Sequence, residues 1–146
     1  MGFKELFNED FSASSSAHAR VNLIGEHTDY NEGFVLPIAV PFDTAIAAIP
    51  EDSSTIRVCS EGFGHTIFNH NEDPSLSPPW ARYLHGVGTY IKQNGHQLKG
   101  WTAYIASDIP IGANLSSSAA LEIAAGLIFC SVNNIEADMK QLAFAG

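Results

Sequence analysis

The order of elements along the chain predicts an α+β domain: β-type segments fill the first half, and two helical segments flank one more strand in the second. Two stretches carry that expectation. One is the succession "FVLPIAV", "TAIAAIP", "STIRVCS" and "HTIFNH" over residues 34–70, and the other is the apolar run "AALEIAAGLIFCSV" over residues 119–132. Size agrees, since 146 residues suffice for one domain with a real core but not for two.

Taken in order, residues 1–11 read as a short arm or helical turn anchored by Phe3, Leu6, Phe7 and Phe11, and the serine cluster of residues 12–17 reads as a turn or linker. The four segments that follow are rich in β-branched and aromatic residues, as strands are. Pro37, Pro41 and Pro50 interrupt them, so some are expected at an edge or bent. Near Pro78 and Pro79 a helix begins, with Trp80, Tyr83, Leu84, Val87 and Ile91 on one stripe and Asn94-Gly95 as its stop. Within it, "GVG" at Gly86 to Gly88 reads as a packing feature, not a nucleotide fingerprint. "WTAYIAS" alternates as a strand. The run from Ala119 is apolar on every side except at Glu122, so it should be a largely buried helix, and residues 136–146 begin another.

Composition narrows the function. Apolar residues make up 45% and charged ones 16%, the profile of a globular protein. A formal charge of −9 opposes binding to nucleic acid or an anionic membrane. Cys59 and Cys130 lack CxxC spacing and read as small buried hydrophobes in a reducing compartment, and no signal peptide or membrane span is legible. The expected location is the cytoplasm.

Two stretches carry chemistry. In "RVNLIGEHTDYNEGFVLP", residues 20–37, the apolar Val21, Leu23 and Ile24 adjoin Glu26, His27 and Asp29, a set able to read the hydroxyls of a polyol if held rigidly. The competing reading is a surface turn with Asx-type bonds at Asp29 and Asn31. In "IPIGANLSSSAALE", residues 109–122, a strand end, a glycine and three serines precede an apolar helix, which gathers unpaired N–H groups and the positive end of a helix dipole where an anion can bind. Simple capping of the helix by Ser116, Ser117 or Ser118 is the alternative.

Together these stretches resemble the galactokinases of the GHMP sugar-kinase superfamily, the first through its galactokinase signature and the second through the superfamily's phosphate-binding motif; "PPWARYLHGV" is similar as well. The resemblance covers nearly the whole chain and implies the α+β fold of a GHMP kinase N-terminal domain (ribosomal protein S5 domain 2-like). It implies ATP- and Mg²⁺-dependent phosphorylation of the anomeric hydroxyl of α-D-galactose. Carried over by motif, Glu26, His27, Thr28 and Asp29 would bind the sugar, and Arg20 would stabilise the transition state. Gly112, Ala113, Asn114, Leu115, Ser116, Ser117 and Ser118 would wrap the phosphates, with Ser118 also on the metal. Trp80 and Tyr83 would line the adenine pocket, and Ser60 would contact the nucleotide.

Three departures from the family pattern bear on these roles. Ala19 stands where the family has Gly before the arginine, which should restrict backbone approach and displace Arg20. Asn114 stands where the family has Gly; it tolerates positive φ, but its side chain could crowd a phosphate. The chain ends at "QLAFAG", similar to the point just before the family's Met-Asp-Gln stretch with the catalytic aspartate. Residues 1–146 are thus expected to form one truncated domain, with residues 1–17 as an arm, the C-terminal domain absent and no base assignable. Such a chain should be inactive alone. A nucleotide- or galactose-binding module, a decayed remnant and a kinase for a related sugar stay open as alternatives, and an uncovered face of the long helix should favour self-association.

Overall fold

A computed structural model describes residues 3–25, 33–69 and 71–143. Helix α1 (Phe3–Phe7) leads into strands β1 (Ala13–Ile24), β2 (Leu36–Pro50), β3 (Thr55–Ser60) and β4 (Gly64–Asn69). Helix α2 (Arg82–Gln93), strand β5 (Trp101–Ser107), helix α3 (Ser117–Asn133) and helix α4 (Met139–Ala143) complete the chain. The sheet order is β1-β2-β5-β3-β4, with β3 and β5 parallel and every other pair antiparallel. The α+β expectation holds.

The sheet buries one face. Ile46, Ala48, Ile56, Val58, Trp101, Ala103 and Ile105 alternate inward along three strands and meet Leu84, Val87 and Ile91 of α2 and Ala124, Ala125, Ile128 and Phe129 of α3. Trp101 meets Phe129 edge to face, ring centroids 5.4 Å apart. Burying each such large apolar side chain stabilises by roughly 1.5–3 kcal/mol. The "GVG" segment proves to be a packing feature at Gly88, where an added Cβ would sit 3.2 Å from the Phe129 ring. Asn94 caps α2 and Gly95 follows at φ 91°, as the sequence stop requires.

Several expectations are corrected. The serines of residues 12–17 form no linker: Ser14 to Ala17 pair with Ala47 to Thr44 inside β1. Their small side chains let α3 approach, and Ser15 Oγ donates to the Ala124 carbonyl at 2.7 Å. The two segments before Pro50 are one strand, β2, which crosses Pro37 and Pro41 because register shifts between His18 and Arg20 and between Asn22 and Ile24 absorb the irregularity. Leu6 and Phe11 are exposed rather than anchoring the arm. Cys59 is only half-buried, whereas Cys130 is buried.

Tyr83 is 42% exposed and leaves the buried stripe of α2, a place taken by His85. Between Ala119 and Cys130, α3 has no exposed apolar residue, because α2, α4, β1 and β2 all pack on it. A group of large exposed apolar side chains lies instead where β1 ends and β2 begins, at Leu23, Ile24, Phe34, Leu36 and Ile38.

Candidate functional site

Residues 108–116, between β5 and α3, alternate in backbone hand. Gly112, Asn114 and Ser116 have φ of 76°, 54° and 53°, while Ala113 and Leu115 between them stay on the ordinary side. Alternation of this kind turns successive N–H groups toward one concavity. The left-handed conformation costs a non-glycine residue roughly 1–2 kcal/mol, so its appearance at Ser116 shows how firmly the surroundings fix this loop. Ser116 is the N-cap of α3, yet its hydroxyl makes no cap bond. The capping alternative therefore fails at this residue, and the first N–H groups of α3 keep no intrahelical acceptor.

On one side of the loop opens a cavity of about 560 Å³. Gly112, Ser117 and Ser118 form one wall, Trp80 and Tyr83 another, and Ser60 closes the end of β3. Three distant parts of the sequence thus meet around one cavity. Thr44, Glu61, Phe63, Asp108 and Ile111 also line the cavity, and sequence reasoning missed them. The glycines at positions 62 and 64, both at positive φ, were the signal for the tight turn that presents Phe63. Nothing local marked Thr44, whose hydroxyl lies 3.0 Å from Ser107 Oγ. The indole N–H of Trp80 is buried with no acceptor among the described residues.

Charge in the cavity is one-sided. Glu61 and Asp108 contribute carboxylates, and none of the described lining residues is Lys or Arg. Asp108 is held in place by the Asp43 N–H, which donates to Oδ1 at 2.7 Å.

A second recess, of about 350 Å³, shares no lining residue with the first and is bordered by His18, Arg20, Ser116 and Glu122. Burial pushes the Glu122 carboxyl above its ordinary value of 4.5, and the Arg20 guanidinium opposes the shift. The Arg20 N–H donates to the Leu115 carbonyl at 3.3 Å, tying β1 directly to the loop. Ala19 does not prevent this approach. It is 1% exposed and packs in a small cluster with Ile109 and Ala120, against which Leu115 also rests.

Of the remaining residues singled out from the sequence, Ala113 and Asn114 are exposed and line neither recess, so Asn114 does not crowd the cavity. Glu26, His27, Thr28 and Asp29 lie outside the described residues. Among the described residues, no group of three or more His, Cys, Asp or Glu could hold a metal ion.

Comparison with known proteins fits this geometry. The galactokinase galactose-binding signature matches residues 1–50, and the GHMP kinases N-terminal domain matches residues 82–146. The crystal structure of Lactococcus lactis galactokinase complexed with galactose superposes with a TM-score of 0.86 at 29% identity, over 98% of this chain and 38% of that one. Methanococcus jannaschii mevalonate kinase gives a TM-score of 0.74 at 19% identity, over 94% and 46%. Streptococcus pneumoniae phosphomevalonate kinase in complex with phosphomevalonate and AMPPNP gives 0.68 at 14%, over 90% and 41%. The last two share the fold, and the chain spans less than half the length of each of the three. With the two matches joined through one loop, the chain is a GHMP kinase N-terminal domain that carries a galactokinase galactose-binding signature.

Proposed function

We propose that the chain supplies the nucleotide cavity and one side of the sugar site for transfer of the γ-phosphoryl group of ATP to the anomeric hydroxyl of α-D-galactose. The observation that carries this reading is the bond from Arg20 N–H to the Leu115 carbonyl, which fastens the strand bearing the sugar signature to the loop at the head of the cavity. Phosphoryl transfer needs mainly positioning and a preorganised field, and a fixed link between the two motifs provides the first.

Each residue then has a task. The backbone N–H groups at Ser117 and Ser118 receive phosphate oxygens. Trp80 and Tyr83 bound the adenine end, and the unpartnered Trp80 indole suits a ligand acceptor. Arg20 faces the other recess, where a guanidinium can stabilise charge developing on the transferred group. Glu26, His27, Thr28 and Asp29 read sugar hydroxyls, each charge-assisted bond contributing about 1.5–3 kcal/mol.

The residues present fit Mg²⁺ delivered with the nucleotide, because two carboxylates with no Lys or Arg among the described lining residues would repel bare polyphosphate. Mg²⁺, when bound, neutralises phosphate charge and polarises the group transferred. The Ser118 hydroxyl would be its protein ligand.

Isothermal titration of the chain with galactose, and separately with Mg²⁺–ATP, tests the reading. Both should bind, with affinities between about 1 μM and 1 mM. An absence of heat for either ligand at several millimolar would remove that half of the proposal.

A further inference from the structure

The cavity wall bearing Trp80 rests on a segment without sheet hydrogen bonds. Between β4 and α2 the chain makes two 3-10 turns, Pro74–Leu76 and Pro79–Ala81. Pro74, Pro78 and Pro79 have no N–H, so the segment has few backbone donors of its own. Side chains of α2 replace them. Arg82 donates from Nε to the Ser77 carbonyl at 3.2 Å and from its terminal nitrogen to the Ser75 carbonyl at 3.4 Å. His85, 1% exposed, places Nε2 at 3.0 Å from Ser77 Oγ and stacks on Phe68 of β4 with ring centroids 4.0 Å apart. Ser77 is itself 6% exposed.

An aliphatic side chain would fill this position of α2 without bringing polar atoms inside, and a buried imidazole is tolerated only because Ser77 answers it. We propose that His85 is a positioning residue: stacked on Phe68 and bonded to Ser77, it fixes the segment that carries Trp80 and so sets the shape of the nucleotide cavity. The importance for nucleotide rests on the function proposed above; the fixing of Trp80 does not.

Burial lowers the affinity of His85 for a proton below its ordinary value of 6.5, while the Glu72 and Asp73 carboxylates oppose the shift. The cation of Arg82, one turn earlier on α2, lies on the same segment, bonded to Ser75 and Ser77. A histidine depressed in the folded state contributes stability that is complete above 6.5 and is lost as pH falls from there through the lowered value. The clamp is therefore sensitive to acid.

Fluorine NMR of the protein labelled with fluorinated tryptophan tests the proposal, because the chain has two tryptophans and Trp80→Phe identifies the relevant resonance. His85→Phe, which keeps a ring against Phe68, and Ser77→Ala should each shift or broaden the Trp80 resonance. Both should weaken Mg²⁺–AMPPNP binding about threefold to tenfold with galactose affinity unchanged, and Ser77→Thr should retain both properties. Acidification through the lowered His85 value should move the Trp80 resonance in the native protein but not in His85→Phe. An unmoved resonance in both variants overturns the proposal, as does equal loss of galactose and nucleotide binding. If Trp80 responds but even the native protein binds no nucleotide, the clamp stands and the reading of what the cavity holds is overturned.

Discussion

Ser116 and Ser117 are adjacent in sequence but line different chambers, and the contrast between those chambers explains how the loop works. The Ser117 side is the larger, walled by aromatic rings, N–H groups and two carboxylates, with no cationic side chain among its described lining residues. The Ser116 side is smaller and holds Arg20 with Glu122. Ser116 marks the division: its backbone is left-handed, and its hydroxyl makes no bond to the helix end it would otherwise cap. On the function proposed above, backbone donors would bind phosphate on one side and the side-chain cation would act on the other, so binding and catalysis should be separable.

Removing Mg²⁺ should have the largest effect on this contrast. With Glu61 and Asp108 in the larger chamber and no Lys or Arg among its described lining residues, chelation should weaken ATP binding by about a hundredfold or more. An ATP affinity indifferent to chelator would mean the carboxylates point away from the phosphates. Galactose binding, measured in the same calorimeter, should not change.

Next in size is the comparison of neighbouring serines. Ser118→Ala should weaken Mg²⁺–ATP binding by about tenfold, the loss of one charge-assisted contact, whereas Ser116→Ala should leave it within about twofold. Equal losses would merge the two chambers into one. Arg20→Gln sharpens the same point: nucleotide affinity should stay within about threefold, because Arg20 lines the other recess.

The smallest effect belongs to Glu122. Its carboxyl is raised by burial, so the ionised form is disfavoured in the folded chain; the associated stability is complete below 4.5 and lost as pH rises through the raised value. Glu122→Gln should therefore raise the melting temperature slightly at neutral pH, with the gain disappearing below 4.5. A fall at neutral pH would show that the attraction of Arg20 outweighs the cost of burial.

Much of this was legible in the sequence where local chemistry decides structure. Asn94-Gly95 ended α2, alternation marked β5, and the glycine and serines before Ala119 announced the loop and its helix. Ser60, Trp80 and Tyr83 join Gly112, Ser117 and Ser118 around one cavity, whereas Ala113, Asn114, Leu115 and Ser116, assigned to the same ligand by the resemblance, do not line it. Long-range effects were not legible. Serines have poor strand propensity, and only pairing with β2 and contact with α3 make residues 14–17 a strand. Pro41 looked like a break because its own segment does not show that β1 accepts a bulge there, with Val40, Pro41 and Phe42 set against Ala19 alone. The exposure of Tyr83 and burial of His85 reverse what hydropathy suggests, since the aromatic faces a cavity and the imidazole has Ser77 inside.

The account depends most on two chambers that share a loop but not a ligand. Galactose titrated into protein saturated with Mg²⁺–AMPPNP addresses this directly. Two separate chambers predict that galactose binds the saturated protein with an affinity equal to or tighter than in its absence. Competition, seen as a galactose affinity that weakens in proportion to the nucleotide present, would contradict it.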